Sequence, residues 1–356
     1  LEIILGTITF LIVLSILVFI HELGHFLAAR YFGVTVHVFS IGFGKKLYSK
    51  QWMGTEWQFA LVPLGGYVKM KGQDDTKPGL VENGNDSYNN KKPWQRIIIL
   101  FAGPLANFLL AAVLYFSIAI LGANSLSPTI GKIIKDSPAQ RAGLQTEDKI
   151  VRINDTDIKT WKQIGETITQ TKTALKFYVQ RNNELRTFVI NPEINDSENI
   201  FREKIKKRMI GIAPAPKLVT IYHSPIEAIS YAYDKTIESS TMIFKGVQKL
   251  IQGIIPSSEI GGVITIGKVI SDASESSFIA LLAISALISV NLGVLNLLPI
   301  PALDGGHIMF NLYEIITRRK PSDKVFMYLT LLGWFILGSL MLLGIYNDIN
   351  RIFLKG

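Results

Sequence analysis

The chain has 356 residues, 48% of them hydrophobic and 18% charged, with a formal charge of +9 and no cysteine. The absence of cysteine excludes disulfides, thiolate metal sites and cysteine nucleophiles. A charged fraction below the roughly 25% of soluble domains argues for membrane spans rather than one large soluble core. No basic stripe interleaved with aromatics accompanies the positive charge, so no nucleic-acid partner is expected, and the excess Lys and Arg are read as charge flanking spans on their cytoplasmic side.

Four uncharged stretches reach the roughly 20 residues that a helix needs to cross a hydrocarbon core. They are Ile3 to Ile20, with the helical pattern continuing through Ala29, then Ile97 to Leu121, Phe278 to Leu298 and Val325 to Tyr346. The first is too long for the apolar core of a signal peptide and lacks a small-residue cleavage site after it, so it is expected to persist as a span. Lysines and arginines crowd the 30–96 loop (Lys45, Lys46, Lys50, Lys91 and Lys92 among them) and the loop holding Arg318, Arg319, Lys320 and Lys324. Both loops are therefore expected in the cytoplasm, with the 127–276 segment on the opposite side.

Within the first loop, Trp57, Phe59 and Leu61 alternate with Glu56, Gln58 and Ala60, the period of a strand. Pro63 and Gly65-Gly66 predict a turn, Tyr67 to Met70 a returning strand, and Ile41 to Gly44 an earlier glycine-rich turn. A β element this apolar beside a span is expected to dip into the membrane, where irregular backbone is tolerated if it is buried in protein or lines a cavity. The 73–90 stretch is polar and predicted to be a mobile loop.

The 128–194 segment reads as a small α/β domain. Strands are predicted over 129–134, 149–153, 174–181 and 186–190, a short helix from Ser137 to Ala142, a second helix over 161–169, and turns at Asn154-Asp155 and Asn182-Asn183. From Pro225 to Gly253 apolar residues recur at helical spacing, interrupted by Asp234, Lys235 and Glu238, which predicts an amphipathic helix on the membrane surface.

The chemistry centres on His21-Glu-Leu-Gly-His25. Histidines four apart share one helix face, and the adjacent Glu22 is placed to serve as a general base beside a zinc ion (Zn2+). An acid inside a span is costly, which favours this reading over three polar residues packed in a bundle. A catalytic zinc keeps three protein ligands and one open position. Asp304, at the cytoplasmic end of the third span and hence at the depth of the histidines, is the candidate third ligand. Pro299 and Pro301 break the helix before it and free backbone groups. Asn291 and Asn296 could hydrogen-bond an unwound substrate backbone; helix–helix bonding competes equally for Asn291, and substrate contact is favoured for Asn296. The strands from Trp57 to Met70 could pair with that backbone by strand addition. His307 is either a group behind the metal ligands or, by preference, an interfacial histidine without a role, and His37 and His223 are read as structural.

These motifs resemble the site-2 proteases, the intramembrane zinc metalloproteases of regulated intramembrane proteolysis. The resemblance rests on the His21–His25 run, Gly42-Phe-Gly44, Pro63-Leu-Gly-Gly-Tyr67, Gly103-Pro-Leu-Ala-Asn107 and the run from Asn296 through Pro299, Pro301 and Asp304 to Gly306. The chain is most similar to the bacterial branch that cuts membrane-bound anti-sigma factors. The resemblance implies zinc on His21, His25 and Asp304 with Glu22 as base, a membrane-reentrant β loop over 63–70 whose Gly65, Gly66 and Tyr67 meet substrate, and substrate held also by Asn296 and the neighbouring prolines. It implies an α-helical membrane protein of four transmembrane helices with an inserted α/β PDZ domain. The expected division is a first membrane half over 1–126, the PDZ domain over 127–215, the surface helix and connector over 216–276, and a second membrane half over 277–356. Glu147 and Asp155 stand where that domain usually has glycine, which bears on peptide binding more than on fold. The expected setting is multi-pass in a bacterial inner membrane with the PDZ domain extracytoplasmic, and the expected substrates are single-span proteins such as anti-sigma factors or remnant signal peptides, pre-trimmed by another protease. A membrane-tethered scaffold with a structural metal, and a metal transporter, are the competing readings; the base-bearing motif disfavours the first and the single acidic cluster the second.

Overall fold

A computed structural model describes residues 2–73, 84–171 and 173–353. The predicted mobile stretch 73–90 falls largely outside them; its described end, from 84, is held by Asp86, whose carboxylate accepts from Lys71 Nζ at 2.8 Å and from the Thr35 hydroxyl at 2.8 Å. The Lys71 ammonium holds that carboxyl down at about 2.

The chain divides into two compact units, one of 1–118, 226–250 and 256–356 and one of 119–225 with 251–255. In the first unit, α1 (Glu2–Tyr31) precedes a long hairpin of β1 (Val36–Trp52) and β2 (Thr55–Met70), and α2 (Pro93–Leu121) follows. Among the described residues, four helices are long and apolar enough to cross a membrane: Glu2–Tyr31, Pro93–Leu121, Phe278–Asn296 and Asp323–Ile352. These are the four expected stretches.

Pro63 and Gly65-Gly66 fall within the range of β2, but the chain reverses there as their residue types predict. The pairing shows the reversal. Val38 to Ile41 pair twice, with Glu56 to Phe59 on one side and with Gly66 to Lys69 on the other, while Lys46 to Trp52 pair with Thr55 to Ala60. Numbers rise together in the first pairing and run oppositely in the other two, so each strand folds back midway, and Pro63 to Gly65, which cannot sustain a ladder, occupy the reversal of β2. Ile41 to Gly44 is the matching bend of β1, with Gly42 and Gly44 at positive φ. The 66–70 segment is thereby left at the edge of the sheet, against α1.

The second unit is built from β3 (Ala123–Leu126), β4 (Ile130–Ile133), α3 (Pro138–Arg141), β5 (Lys149–Ile153), β6 (Thr156–Asp157), α4 (Trp161–Gln170), β7 (Leu175–Arg181) and β8 (Glu184–Ile190). It continues with β9 (Glu193–Glu198), β10 (Lys204–Met209), β11 (Ile212–Pro214) and β12 (Leu218–Ile221). The central sheet has the order β6-β5-β7-β8. Alternation decides its faces: Leu175, Phe177 and Val179 are buried while Lys176 and Gln180 are exposed. With Ile130, Ile150, Ile153 and Ile164 they form the core, each fully buried side chain contributing about 1.5–3 kcal/mol. Arg181 grips buried Asp148 through two bonds of 2.7 Å. Strands β3 and β9 to β12 go beyond the sequence reading; β12 pairs with β3 and β11 with β4.

The first unit resumes with α5 (Pro225–Ile251), α6 (Val263–Ser276), α7 (Phe278–Asn296), α8 (Asp304–Thr317) and α9 (Asp323–Phe353). Helix α5 buries small residues, Ala228, Ala232, Thr236 and Ser239, and the Ser239 hydroxyl lies 2.9 Å from that of Tyr115 on α2. Helix α6, absent from the sequence reading, packs against α1 and α7. Helix α8 is likewise new, and Asp304 is its first residue.

Candidate metal centre

His21 and His25 are both buried on one face of α1. Their Nε2 atoms are 3.2 Å apart, and Asp304 Oδ2 is 3.3 Å from the first and 3.4 Å from the second. Ligand bonds of roughly 2.0–2.1 Å at tetrahedral angles set neighbouring donor atoms roughly 3.3 Å apart. The three edges of the triangle match that spacing, and the donor set, two imidazoles and a carboxylate, suits zinc. Among the described residues this is the group of His and acidic side chains able to hold a metal.

Helix α2 orients the histidines. His25 Nδ1 is 2.9 Å from the Ile99 carbonyl, so it carries the proton and donates, which leaves Nε2 with a free lone pair. The side-chain amide of Asn107, fully buried, lies 3.2 Å from His21 Nδ1, and its oxygen has no partner among the described residues. A half-turn of that amide, whose two ends are assigned rather than seen, places the oxygen on the protonated Nδ1, so that the imidazole N–H donates and the amide oxygen accepts. The tautomer thus favoured is the one that directs Nε2 to a metal. Asn107→Ala is expected to lower metal affinity or activity about 10–100-fold, measurable as zinc retained against a competing chelator. An unchanged value would show that Asn107 only packs.

Close approach of α1 and α2 needs glycine at 103. A Cβ there would lie 2.2 Å from His25 Nε2 and 2.5 Å from its Cε1. Glu22, the neighbour of His21, has a carboxylate that accepts a hydrogen bond from the Val68 backbone N–H, and a Cβ at Gly66 would lie 3.2 Å from Glu22 Cγ. The edge segment of β2 therefore passes directly over the acid.

Of the other candidates, Asn296 is at the site, its Nδ2 3.4 Å from His21 Nε2. Asn291 is five residues back along α7, about 1.4 turns and about 7.5 Å away along the axis. Pro299 and Pro301 lie in the connector from α7 to α8, which folds so tightly that a Cβ at Gly306 would sit 2.4 Å from Pro301 Cα. Gly65 lies against the Phe43 ring, and the Tyr67 hydroxyl accepts from Gln58 Nε2 at 3.0 Å, so both are on the hairpin beside Gly66. His307 is buried against Phe310 and Phe326, and His37 lies on β1. Sequence reasoning assigned no role to Gly103 and Asn107. Asn107 carried the same signal as Asn291, an amide in an uncharged span, and the Ile99 carbonyl carried none because a backbone group has no residue-type signature.

Comparison with known proteins agrees with this geometry. The family model for peptidase family M50 matches residues 9–340. A Campylobacter jejuni protein, Cj1068, whose name carries the words zinc metalloprotease, is 47% identical over 341 residues, covering 96% of this chain and 92% of that one. A zinc metalloprotease by name from Helicobacter pylori strain J99 is 38% identical over 347 residues (96% and 98%), and RC0203 of Rickettsia conorii, similarly named, is 37% identical over 358 (98% and 99%). With two histidines and an aspartate at tetrahedral spacing in a multi-pass membrane chain, and a family match over nearly its whole length, the chain belongs to peptidase family M50, the site-2 proteases, and is a zinc metalloendopeptidase.

Proposed function

We propose that the chain cleaves the transmembrane segments of single-span membrane proteins, with zinc on His21, His25 and Asp304 and Glu22 as general base. The single observation that carries this reading is the acid beside the ligand triangle with a sheet edge passing over it. When bound, zinc polarises the scissile carbonyl and makes water a competent nucleophile at neutral pH. Glu22 takes the proton of the attacking water on its carboxylate and delivers it to the leaving nitrogen. The Gly65 to Tyr67 edge accepts the unwound substrate as an added strand, since a helical peptide bond is closed to attack, and Asn296 holds its backbone beside His21. Asn291 on α7 and Pro299 and Pro301 in the connector after it shape the same cleft. An apolar cavity of about 490 Å³ between α1 and the hairpin, bordered by Ile12, Ile16, Phe19, Ile41 and Phe59, suits an apolar segment arriving there.

On this reading the protein sits in a bacterial inner membrane with loops 30–96 and 318–324 cytoplasmic. The second unit is a PDZ domain on the outer side that admits substrates already trimmed by another protease, anti-sigma factors or remnant signal peptides being the expected classes. Helix α5 lies at the membrane surface: its three unlike faces are the buried small residues, the exposed apolar Ile226, Ile229, Tyr233 and Ile237, and the charged Asp234, Glu238 and Lys245.

Purified protein in liposomes with a single-span substrate tests the proposal. Cleavage within the transmembrane segment is expected, stopped by phenanthroline and restored by zinc. Cleavage only outside the segment, or cleavage indifferent to chelation, would overturn it.

A further inference from the structure

The third ligand is carried by a short, poorly covered helix. Met309, Leu312, Tyr313, Ile315 and Ile316 of α8 are all exposed, so packing on those flanks does not fix its orientation. Its polar residues fall on the remaining face: Asp304, His307, Asn311 and Glu314 follow one another at three- and four-residue steps. His307 and Asn311 are buried, and Asn311 Nδ2 donates to the His307 carbonyl at 2.8 Å. At the far end Glu314 accepts from Arg96 Nη2 at 2.7 Å, with the two side chains 16% and 9% exposed. Arg96 is itself tethered, donating from Nε to the Lys91 carbonyl at 3.2 Å.

Arg96 belongs to α2 and stands one turn before Ile99, the residue whose carbonyl holds His25. One helix thus fixes a histidine at one level and α8 at the next. The start of α8 is already pinned, because a Cβ at Gly305 would lie 2.3 Å from the Leu298 carbonyl oxygen. A helix pinned at its first turn can still roll and tilt, and each residue of roll error moves a side chain by about 100°. A second anchor ten residues on, about 15 Å along the axis, removes that freedom.

We infer that the Arg96–Glu314 ion pair is a positioning element for the metal site, setting the roll of α8 so that the Asp304 carboxylate meets His21 and His25. The inference rests on Asp304 being a metal ligand. It makes Arg96 and Glu314 positioning residues, since neither touches the triangle.

The test uses the full chain in detergent, loaded with zinc or with cobalt(II), whose visible bands report ligand geometry. Arg96→Gln and Glu314→Gln are expected to lower zinc affinity or turnover about 10–100-fold and to alter the cobalt bands. The reversed pair, Arg96→Glu with Glu314→Arg, is expected to recover most of both. Arg96→Lys, which keeps the charge but loses the planar fork, should fall between. Single variants with the parent's cobalt spectrum and turnover, showing only a lower melting temperature, would overturn the inference. If the singles do not fold, a reversed pair that folds without recovering the spectrum overturns it equally. Failure of the ligand reading is separable: Asp304→Asn would then leave the cobalt bands of the parent unchanged.

Discussion

Glu22→Gln is expected to lose peptide-bond cleavage by about 10²–10⁴-fold while retaining zinc. The amide occupies the space of the carboxylate, and its oxygen can still accept from the Val68 N–H that Glu22 engages. It cannot take up a proton. The measurement pairs cleavage of a single-span substrate with metal content per chain. Parent-like cleavage would remove Glu22 from the reaction, and lost zinc would mean that the acid supports the metal rather than the proton transfer.

Gly103→Ala is expected to cost the metal. In an exposed helix this change is favourable by about 1 kcal/mol, because glycine is the poorer helix former. Here the added Cβ would lie 2.2 Å from His25 Nε2, and both flanking helices are held at that level: a Cβ at Gly24 of α1 would meet the Ala102 carbonyl oxygen at 2.2 Å. The ring has to leave the seat that the Ile99 carbonyl defines. Zinc affinity should fall at least about 10–100-fold, the range seen when an outer support of a ligand is removed. Gly338→Ala on α9 is the control, since nothing lies within 4 Å of a Cβ there. Helical content by circular dichroism should be retained in both. Zinc binding equal in the two variants would show that α1 and α2 can separate without consequence.

Much of this architecture was legible in residue order. The four spans announce themselves by length and lack of charge, and the core strands of the second unit by their alternation, as in Leu175, Phe177 and Val179. The His21–His25 spacing is a helix face written out, and Asp304 follows from matching depth across two spans. What was hidden has physical reasons. Strand β9, Glu-Ile-Asn-Asp-Ser-Glu, pairs with Lys204 to Met209 as a largely exposed hairpin, so no buried face imposes a period of two. Helix α6 has 14 residues, too few to span, and its amphipathic pattern is only distinctive once α1 and α7 are beside it. Pro63 and Gly65-Gly66 turn the chain as their residue types predict; that the returning Gly66 to Lys69 take Val38 to Ile41 as partners is a long-range pairing with no local signature. Arg96 and Glu314 are 218 positions apart, and no local pattern connects them.

Asp348, near the end of the last span, is an acid with only 1% of its surface exposed. Its Oδ1 accepts from the Gly262 N–H at 2.9 Å and the Thr265 hydroxyl at 2.5 Å, and its Oδ2 from the Ile264 and Thr265 N–H groups at 3.0 Å each. A carboxylate has about four lone-pair directions. All four are spent on closing the open first turn of α6, so this acid has nothing left to offer an ion or a substrate. Asp304 instead turns one oxygen toward two imidazole nitrogens that can each give up a lone pair. Low exposure does not by itself mark the reactive carboxylate; unspent acceptor capacity does.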